Sequence, residues 1–371
     1  MKLNCIIPVL VLILIFIIFF LVSIYLTKRF NFYFNFKTQK KTHVIFILLI
    51  FLPFLGIFLT TNSITFFSNA IYITSSLTIS LVLSFLLAIV FTDLLKLFLK
   101  LKLSVYRIIS ISLSIVIFAC GTWNAFNPQV SYIEIPIRKI GRELRLMQIT
   151  DVHLGHFHGK DYLQTLVQKT NDSNVELVCI TGDLFDGKIQ LKEEVLLPLK
   201  QLNAPVYFVE GNHDEYSNAD VVKSLLRKVG VRVLENEIEV FNDIQIIGLD
   251  YVVADNEEVN MHANNDTNTI KSIMQRIKFN TALPTILLHH SPVGCEYVAE
   301  KDIDLYLAGH THGGQTFPAS LITSIILKHN KGLYDLDRLK IFISEGAGTW
   351  GPPMRFLTKN EINLIKLIPM R

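Results

Sequence analysis

Residues 144–156 read LRLMQITDVHLGH, an apolar run that ends by presenting Asp151 and His153 where an extended segment opens into a loop. Positions i and i+2 of a strand share one face, so a carboxylate and an imidazole at this spacing can turn toward the same cation. Taken singly, such a triplet is most often a solvated strand end. Its weight depends on whether other strand ends supply partners.

Four further segments do. The buried-strand pattern ELVCITGD (176–183) ends on Asp183, and APVYFVEGNHD (204–214) ends on Asn212, His213 and Asp214. PTILLHHSP (284–292) delivers His289 and His290, and IDLYLAGHTH (303–312) delivers His310 and His312. Each cluster sits where apolar periodicity stops, which in open parallel or mixed sheets is where ligands bind. Helical spacing over 162–170, 191–202, 218–229 and 269–277 separates the strands, and RLKIFISEGAG (338–348) and a strand near 361–368 close the chain. Upstream, VSYIEIPI (130–137) has the period-two pattern of an edge strand.

Four imidazoles, two carboxylates and one amide exceed a single tetrahedral shell and suggest two divalent metal ions. A nitrogen and oxygen donor set without thiolate suits Mn, Fe, Zn or Co better than Ca or Mg. Two such ions can share a carboxylate and a hydroxide and clamp both oxygens of an in-line displacement at phosphorus. The natural substrate for that chemistry is a phosphate ester.

The N-terminal third has a different character. Residues 6–26 carry no charge, and none occurs from Thr42 to Thr92. Apolar spans at 6–26, 43–60, 70–92 and 108–126 are each long enough for a membrane helix. Lys28, Arg29, Lys37, Lys40 and Lys41 fill the first connection, and Lys96, Lys100 and Lys102 the third, with none in the second. By the rule that short basic loops stay in the cytoplasm, the C-terminal part is expected outside it. Residues 1–140 carry 12 Lys and Arg against 2 Asp and Glu, net +10, and the remainder 23 against 30, net −7. An acidic C-terminal part gives no reason to expect nucleic acid as a partner. Cys5, Cys120, Cys179 and Cys295 form no close pair, so no disulfide framework is expected.

The ordered set DVH, GD, GNHD, HSP and GHTH over residues 144–368 closely resembles the signature of the calcineurin-like metallophosphoesterases. The resemblance implies an α/β domain built as a four-layer αββα sandwich of two mixed sheets, here preceded by a four-helix transmembrane region. On this reading residues 1–127 are the membrane region, 128–143 a connector and 144–371 the catalytic domain. It further implies that Asp151, His153 and His312 hold one metal, that Asp183 bridges, and that Asn212, His290 and His310 hold the other. His213 matches the family's non-ligand histidine, which contacts the phosphoryl group and assists the leaving oxygen, with Asp214 orienting its ring. The trailing GGQTFP and GTWGPPMR resemble the branch that couples this domain to a membrane segment. The implied reaction is hydrolysis of a phosphomonoester, a phosphodiester or a lipid-linked pyrophosphate. A metal-binding membrane sensor or scaffold is the alternative from another class.

Both His289 and His290 lie at their strand end. Likeness to the family's HxP favours His290, leaving His289 on the opposite face. His156 and His158 are near enough in sequence to touch substrate, Arg355 offers either a fork for phosphate or a structural ion pair, and His262 lies in a polar loop at 253–268 as a solvated imidazole. Within 315–332, FPASLITSIILKHNK is unusually apolar for a loop beside a charged site. It reads either as a short packed helix or as a rim that touches lipid.

Overall fold

The computed structural model describes residues 3–255 and 268–370. His262 and most of the loop expected at 253–268 lie outside them. Two compact units divide the chain, Met1–Trp123 with Gly351–Met354, and Asn124–Trp350 with Arg355–Arg371.

The first unit is built on α1 (Leu3–Phe34), α2 (Gln39–Thr60), α3 (Phe66–Phe98) and α4 (Leu103–Phe126), all long and apolar enough to cross a membrane. On α3 a buried stripe of Ser68, Ser76, Ser80, Ser84 and Thr92 replaces bulk with hydroxyls. Ser84 and Thr92 donate to carbonyls one turn back, at 2.8 and 2.7 Å, which satisfies these hydroxyls within the helix and lets neighbouring helices approach closely. Asp93 accepts from Tyr25 at 2.6 Å and pairs with Arg29 at 2.6 Å, which neutralises the one acidic side chain of the apolar helices.

The described residues of the second unit contain twelve strands. In the N-terminal half these are β1 (Gln129–Ile137), β2 (Leu144–Ile149), β3 (Leu177–Thr181), β4 (Val206–Val209), β5 (Arg232–Val233) and β6 (Glu237–Phe241). β7 (Ile244–Gly248), β8 (Thr285–Leu288), β9 (Leu305–Ala308), β10 (Gly332–Leu336), β11 (Leu339–Ile343) and β12 (Glu361–Pro369) follow. They form two six-stranded mixed sheets, ordered β1-β12-β2-β3-β4-β5 and β10-β11-β9-β8-β7-β6. In each sheet the strands that carry the site run parallel, β2 to β4 in one and β8 with β9 in the other.

Alternation along the strands makes the layers. Leu146, Leu177, Tyr207, Ile246, Ile286 and Leu305 fill the space between the sheets. Their neighbours Met147, Val178 and Phe208 turn outward, into a core with Leu163 and Leu166 of α5 (Lys160–Asp172), Val195 of α6 (Glu193–Leu196) and Leu226 of α7 (Asn212–Lys228). Ile247, Leu287 and Tyr306 pack against α8 (Ile270–Arg276) and α9 (Cys295–Ala299). Helices therefore cover both outer faces of the paired sheets. A further helix, α10, spans Ala319–Ile326.

Two local features depart from the periodicity reading. The helix expected over 191–202 is α6 followed by a 3-10 turn at Leu197–Gln201, because Pro198 has no N–H to continue an α-helical ladder. The helix expected from 218 begins at Asn212 and breaks at Asn218, which has φ 98°. Residues 129–137 form the edge strand that their period-two pattern predicts, pairing in parallel with β12.

His158 is buried, stacks on Tyr162 at 3.9 Å, meets Phe126 edge-on, and has no hydrogen-bond partner on either ring nitrogen. Burial lowers it from 6.5 to about 3. A group depressed on folding contributes stability above its unfolded pKa and loses it as pH falls toward the folded value. Two pH units of such loss amount to roughly 2 to 3 kcal/mol. His158→Phe should retain the stacking and flatten the decline in unfolding midpoint between about pH 6.5 and 4.5, measured by urea titration of the wild-type and variant chains.

Candidate active site

The strand ends of the two sheets converge. Asp151 and His153 follow β2, Asp183 follows β3, and Asn212 with His213 opens α7 directly after β4. From the other sheet, His290 follows β8, and His310 with His312 follows β9. The backbone N–H of His310 donates to the Asp151 carboxylate at 3.0 Å, tying one sheet's loop to the other's.

The donors fall into two groups that meet at Asp183. In the first, His312 Nε2 is 3.2 Å from Asp151 Oδ1 and 3.0 Å from His153 Nε2. In the second, His290 Nε2 is 3.1 Å from Asp183 Oδ2 and 3.2 Å from His310 Nδ1. His153 Nε2 stands 3.8 Å from Asp183 Oδ2, so this carboxylate faces both groups. Asn212 is buried and its Oδ1 has no hydrogen-bond partner.

These features fit divalent metal. Unpaired lone pairs of neighbouring imidazoles and an orphaned amide oxygen are costly side by side unless a cation or a proton lies among them. His290 Nδ1 donates to the Thr181 carbonyl at 2.8 Å, and although burial opposes it, the charges of Asp183 and Asp151 raise the ring to about 9, so positive charge is favoured where Nε2 meets Asp183. The Asp151 and Asp183 carboxyls are held below their usual range: burial opposes this, and the imidazoles of His312 and His290 outweigh it. Burial lowers His153 to about 3, favouring the neutral ring that ligation requires.

Asp151, His153, Asp183, His310 and His312 all have positive φ, from 51° to 72°. Non-glycine residues rarely adopt this conformation, and its recurrence where side chains converge marks a site held by its surroundings.

His213 lies between the two groups and forms a third donor cluster with His153 and Asp183, their ligand atoms within 4.8 Å of one another. Its N–H donates to Asp183 Oδ1 at 2.8 Å, and its ring stands perpendicular to that of His153, centroids 4.7 Å apart. Nδ1 is 3.0 Å from Asp186 Oδ1. Burial acts to lower its pKa, but the carboxylates of Asp183 and Asp186 overcome that and raise it to about 9.

Asp214, expected to orient the His213 ring, does something else. Its carboxylate accepts from the backbone N–H groups of Gly211 at 3.0 Å and of Leu184 and Phe185 at 3.1 Å, fastening the start of α7 to the loop that carries Asp183. An acid three residues into a helix reaches its own N-terminal N–H groups, and here also a neighbouring loop. Burial and the Asp183 charge push it up to about 7. The ring partner is Asp186, in the segment LFDG, which sequence reading passed over.

His289 turns away from the cluster, its Nδ1 2.7 Å from the Ser291 carbonyl and 2.9 Å from Tyr306 Oη. Arg355 meets neither of its expected partners. Its guanidinium is buried and donates to the His312 carbonyl at 3.0 Å and the Gly348 carbonyl at 3.1 Å, with Nη2 2.8 Å from His312 Nδ1. It holds a candidate ligand in place.

Comparison with known proteins fits this geometry. A family profile described as calcineurin-like phosphoesterase matches residues 144–314. A metallophosphoesterase of Helicobacter pylori is 33% identical over 257 residues, covering 67% of either chain. The chain belongs to the calcineurin-like metallophosphoesterases. A Danio rerio protein named transmembrane protein with metallophosphoesterase domain is 31% identical over 278 residues, 70% of this chain and 62% of that one. Among solved structures, an archaeal phosphodiesterase aligns with a TM-score of 0.33 at 14% identity, over 55% of this chain and 85% of its own. As a member of this family the chain is a metal-dependent phosphoesterase, with divalent-metal ligands available among the residues above.

Because Arg355 anchors His312 from behind, Arg355→Met should lower metal affinity about tenfold or more, the usual scale for losing a group that orients a ligand. Arg355→Lys should recover part of it. Equilibrium dialysis with Mn²⁺ and elemental analysis of the full chain measures both.

Proposed function

We propose that this metallophosphoesterase holds two divalent ions and hydrolyses a phosphate ester carried on a lipid, with the catalytic domain outside the cytoplasm. The observation that supports the dinuclear reading is Asp183, whose carboxylate lies 3.1 Å from His290, grouped with His310, and 3.8 Å from His153, which groups with Asp151 and His312. Bound there, a metal pair supplies Lewis acidity and an acidified water near neutral pH. Its identity among Mn, Fe, Zn and Co is left to the same nitrogen and oxygen donor set.

The chain's own residues supply the rest. His213 sits in the cluster with its Nδ1 fixed by Asp186. A ring held protonated in this way donates a hydrogen bond to a phosphoryl oxygen and gives its proton to the leaving oxygen. Asp214 and the Asp183 loop fix the helix terminus that carries His213. A binding scaffold has no use for such a proton donor, which favours hydrolysis over the sensor reading. The apolar helices support a membrane-borne substrate, and the run of lysines in the first and third connections supports the extracytoplasmic side.

The test uses the full chain in detergent with Mn²⁺, p-nitrophenyl phosphate and bis-p-nitrophenyl phosphate. Turnover of either should be abolished by Asp183→Asn with loss of metal, and reduced about a hundredfold or more in kcat by His213→Ala with metal retained. Intact esters in a metal-loaded wild-type chain would instead favour the scaffold. Asp186→Asn removes a carboxylate that raises His213, so the alkaline limb of kcat should move to lower pH. Asp214→Asn should lower stability and leave that limb in place, and the two pH profiles separate the roles.

A further inference from the structure

Helix α10 is inside out. Its polar face is turned to the protein: Gly314 lies so close that a Cβ built on it would stand 2.5 Å from both Ser320 Cα and Thr323 Oγ1, and Asn330 donates to Thr323 Oγ1 at 3.3 Å. Its apolar face is turned outward. Leu321 is 54% exposed, Ile322 52%, Ile325 76% and Ile326 72%, and no residue of the helix is buried. A soluble surface rarely leaves such a contiguous patch uncovered, and a helix oriented this way has its burial still to make.

Three observations indicate what covers it. Among the described residues four helices are long and apolar enough to cross a membrane, and a tether of that kind confines an attached domain to the lipid surface at high effective concentration. The segment is basic: no Asp or Glu occurs between Asp304 and Asp335, Lys328 follows the helix and is exposed, and Lys331, also exposed, pairs with Glu345 at 3.1 Å. Cations flanking an apolar face complement an anionic lipid surface. Finally, the patch is continuous with the site. Gln315, just before α10, exchanges two hydrogen bonds with the backbone of Trp350, at 3.0 and 3.1 Å, and the half-exposed Trp350 ring lies 6.4 Å from that of His213.

We propose that α10 is a membrane-docking element, whose Leu321, Ile322, Ile325 and Ile326 enter the acyl region of an anionic bilayer, and that a lipid-borne phosphate ester reaches His213 past Trp350. The docking stands on the geometry alone; the delivery of substrate rests on the hydrolase reading above.

The experiment places a fluorophore on the full chain by Ile325→Cys, with Cys5 and Cys120 replaced by Ser, and reconstitutes it in vesicles of phosphatidylcholine and phosphatidylglycerol containing nitroxide-labelled acyl chains. A second preparation carries the fluorophore at Lys200→Cys, on an exposed helix end. Strong quenching at 325 and weak quenching at 200 is expected. Equal quenching at the two positions overturns the proposal, as does an unquenched 325 whose unlabelled cysteine, in a parallel preparation, forms a disulfide between copies under an added oxidant, which would assign the face to self-association. In parallel, the double variant Ile325→Asp with Ile326→Asp should lose about tenfold or more in turnover of a phosphate ester carried on diacylglycerol in those vesicles, relative to p-nitrophenyl phosphate, since two aliphatic contacts become two buried charges. Equal loss on both substrates overturns the delivery route. Quenching at 325 without turnover of any ester by the wild type would leave the docking in place and remove the hydrolase reading alone.

Discussion

The structure depends on one buried carboxylate. Asp183 receives the His213 N–H at 2.8 Å on one oxygen and faces His290 at 3.1 Å and His153 at 3.8 Å with the other. Its surroundings leave no room for error, since a Cβ on Gly211 would stand 2.2 Å from Asp183 Oδ1. A carboxylate so enclosed is stable only if positive charge stays close to it, because burial alone would drive it toward the neutral form. Both sheets contribute to that compensation, which makes the charge balance at Asp183 a constraint on how the whole domain packs.

The remaining features can be read as supports for that balance. Asp214 binds the Asp183 loop to the start of α7, Arg355 holds His312 from behind, and the His310 N–H closes the gap to Asp151. Left-handed backbone at five of the converging residues carries a conformational cost of order 1 kcal/mol or more each, which the packed strands behind them must offset. Rigid parallel strands end where side chains need to be placed accurately, while the strained turns aim them.

Much of this was legible in the sequence because strand ends and metal-ligand residues coincide. Apolar runs terminating on Asp, Asn and His placed the clusters on the correct strand ends, and the charge-free stretches marked the four apolar helices. What remained hidden depended on contacts between distant segments. Asp214 follows His213 in sequence, but adjacency on a helix does not put two side chains face to face, and the ring partner Asp186 lies on another loop. Arg355 could not be placed from its chemistry, since only packing decides whether a guanidinium reaches solvent. The run SLITSII was apolar in either of its readings, and only the position of Ser320 and Thr323 against Gly314 showed which face is turned outward.

The central claim is that two cations share Asp183. Anomalous diffraction from crystals of the full chain grown with Mn²⁺, collected across the metal edge, tests it directly. The account predicts two peaks, one among Asp151, His153 and His312 and the other among Asn212, His290 and His310, both in contact with the Asp183 carboxylate. A single peak, or peaks that leave Asp183 untouched, would contradict it.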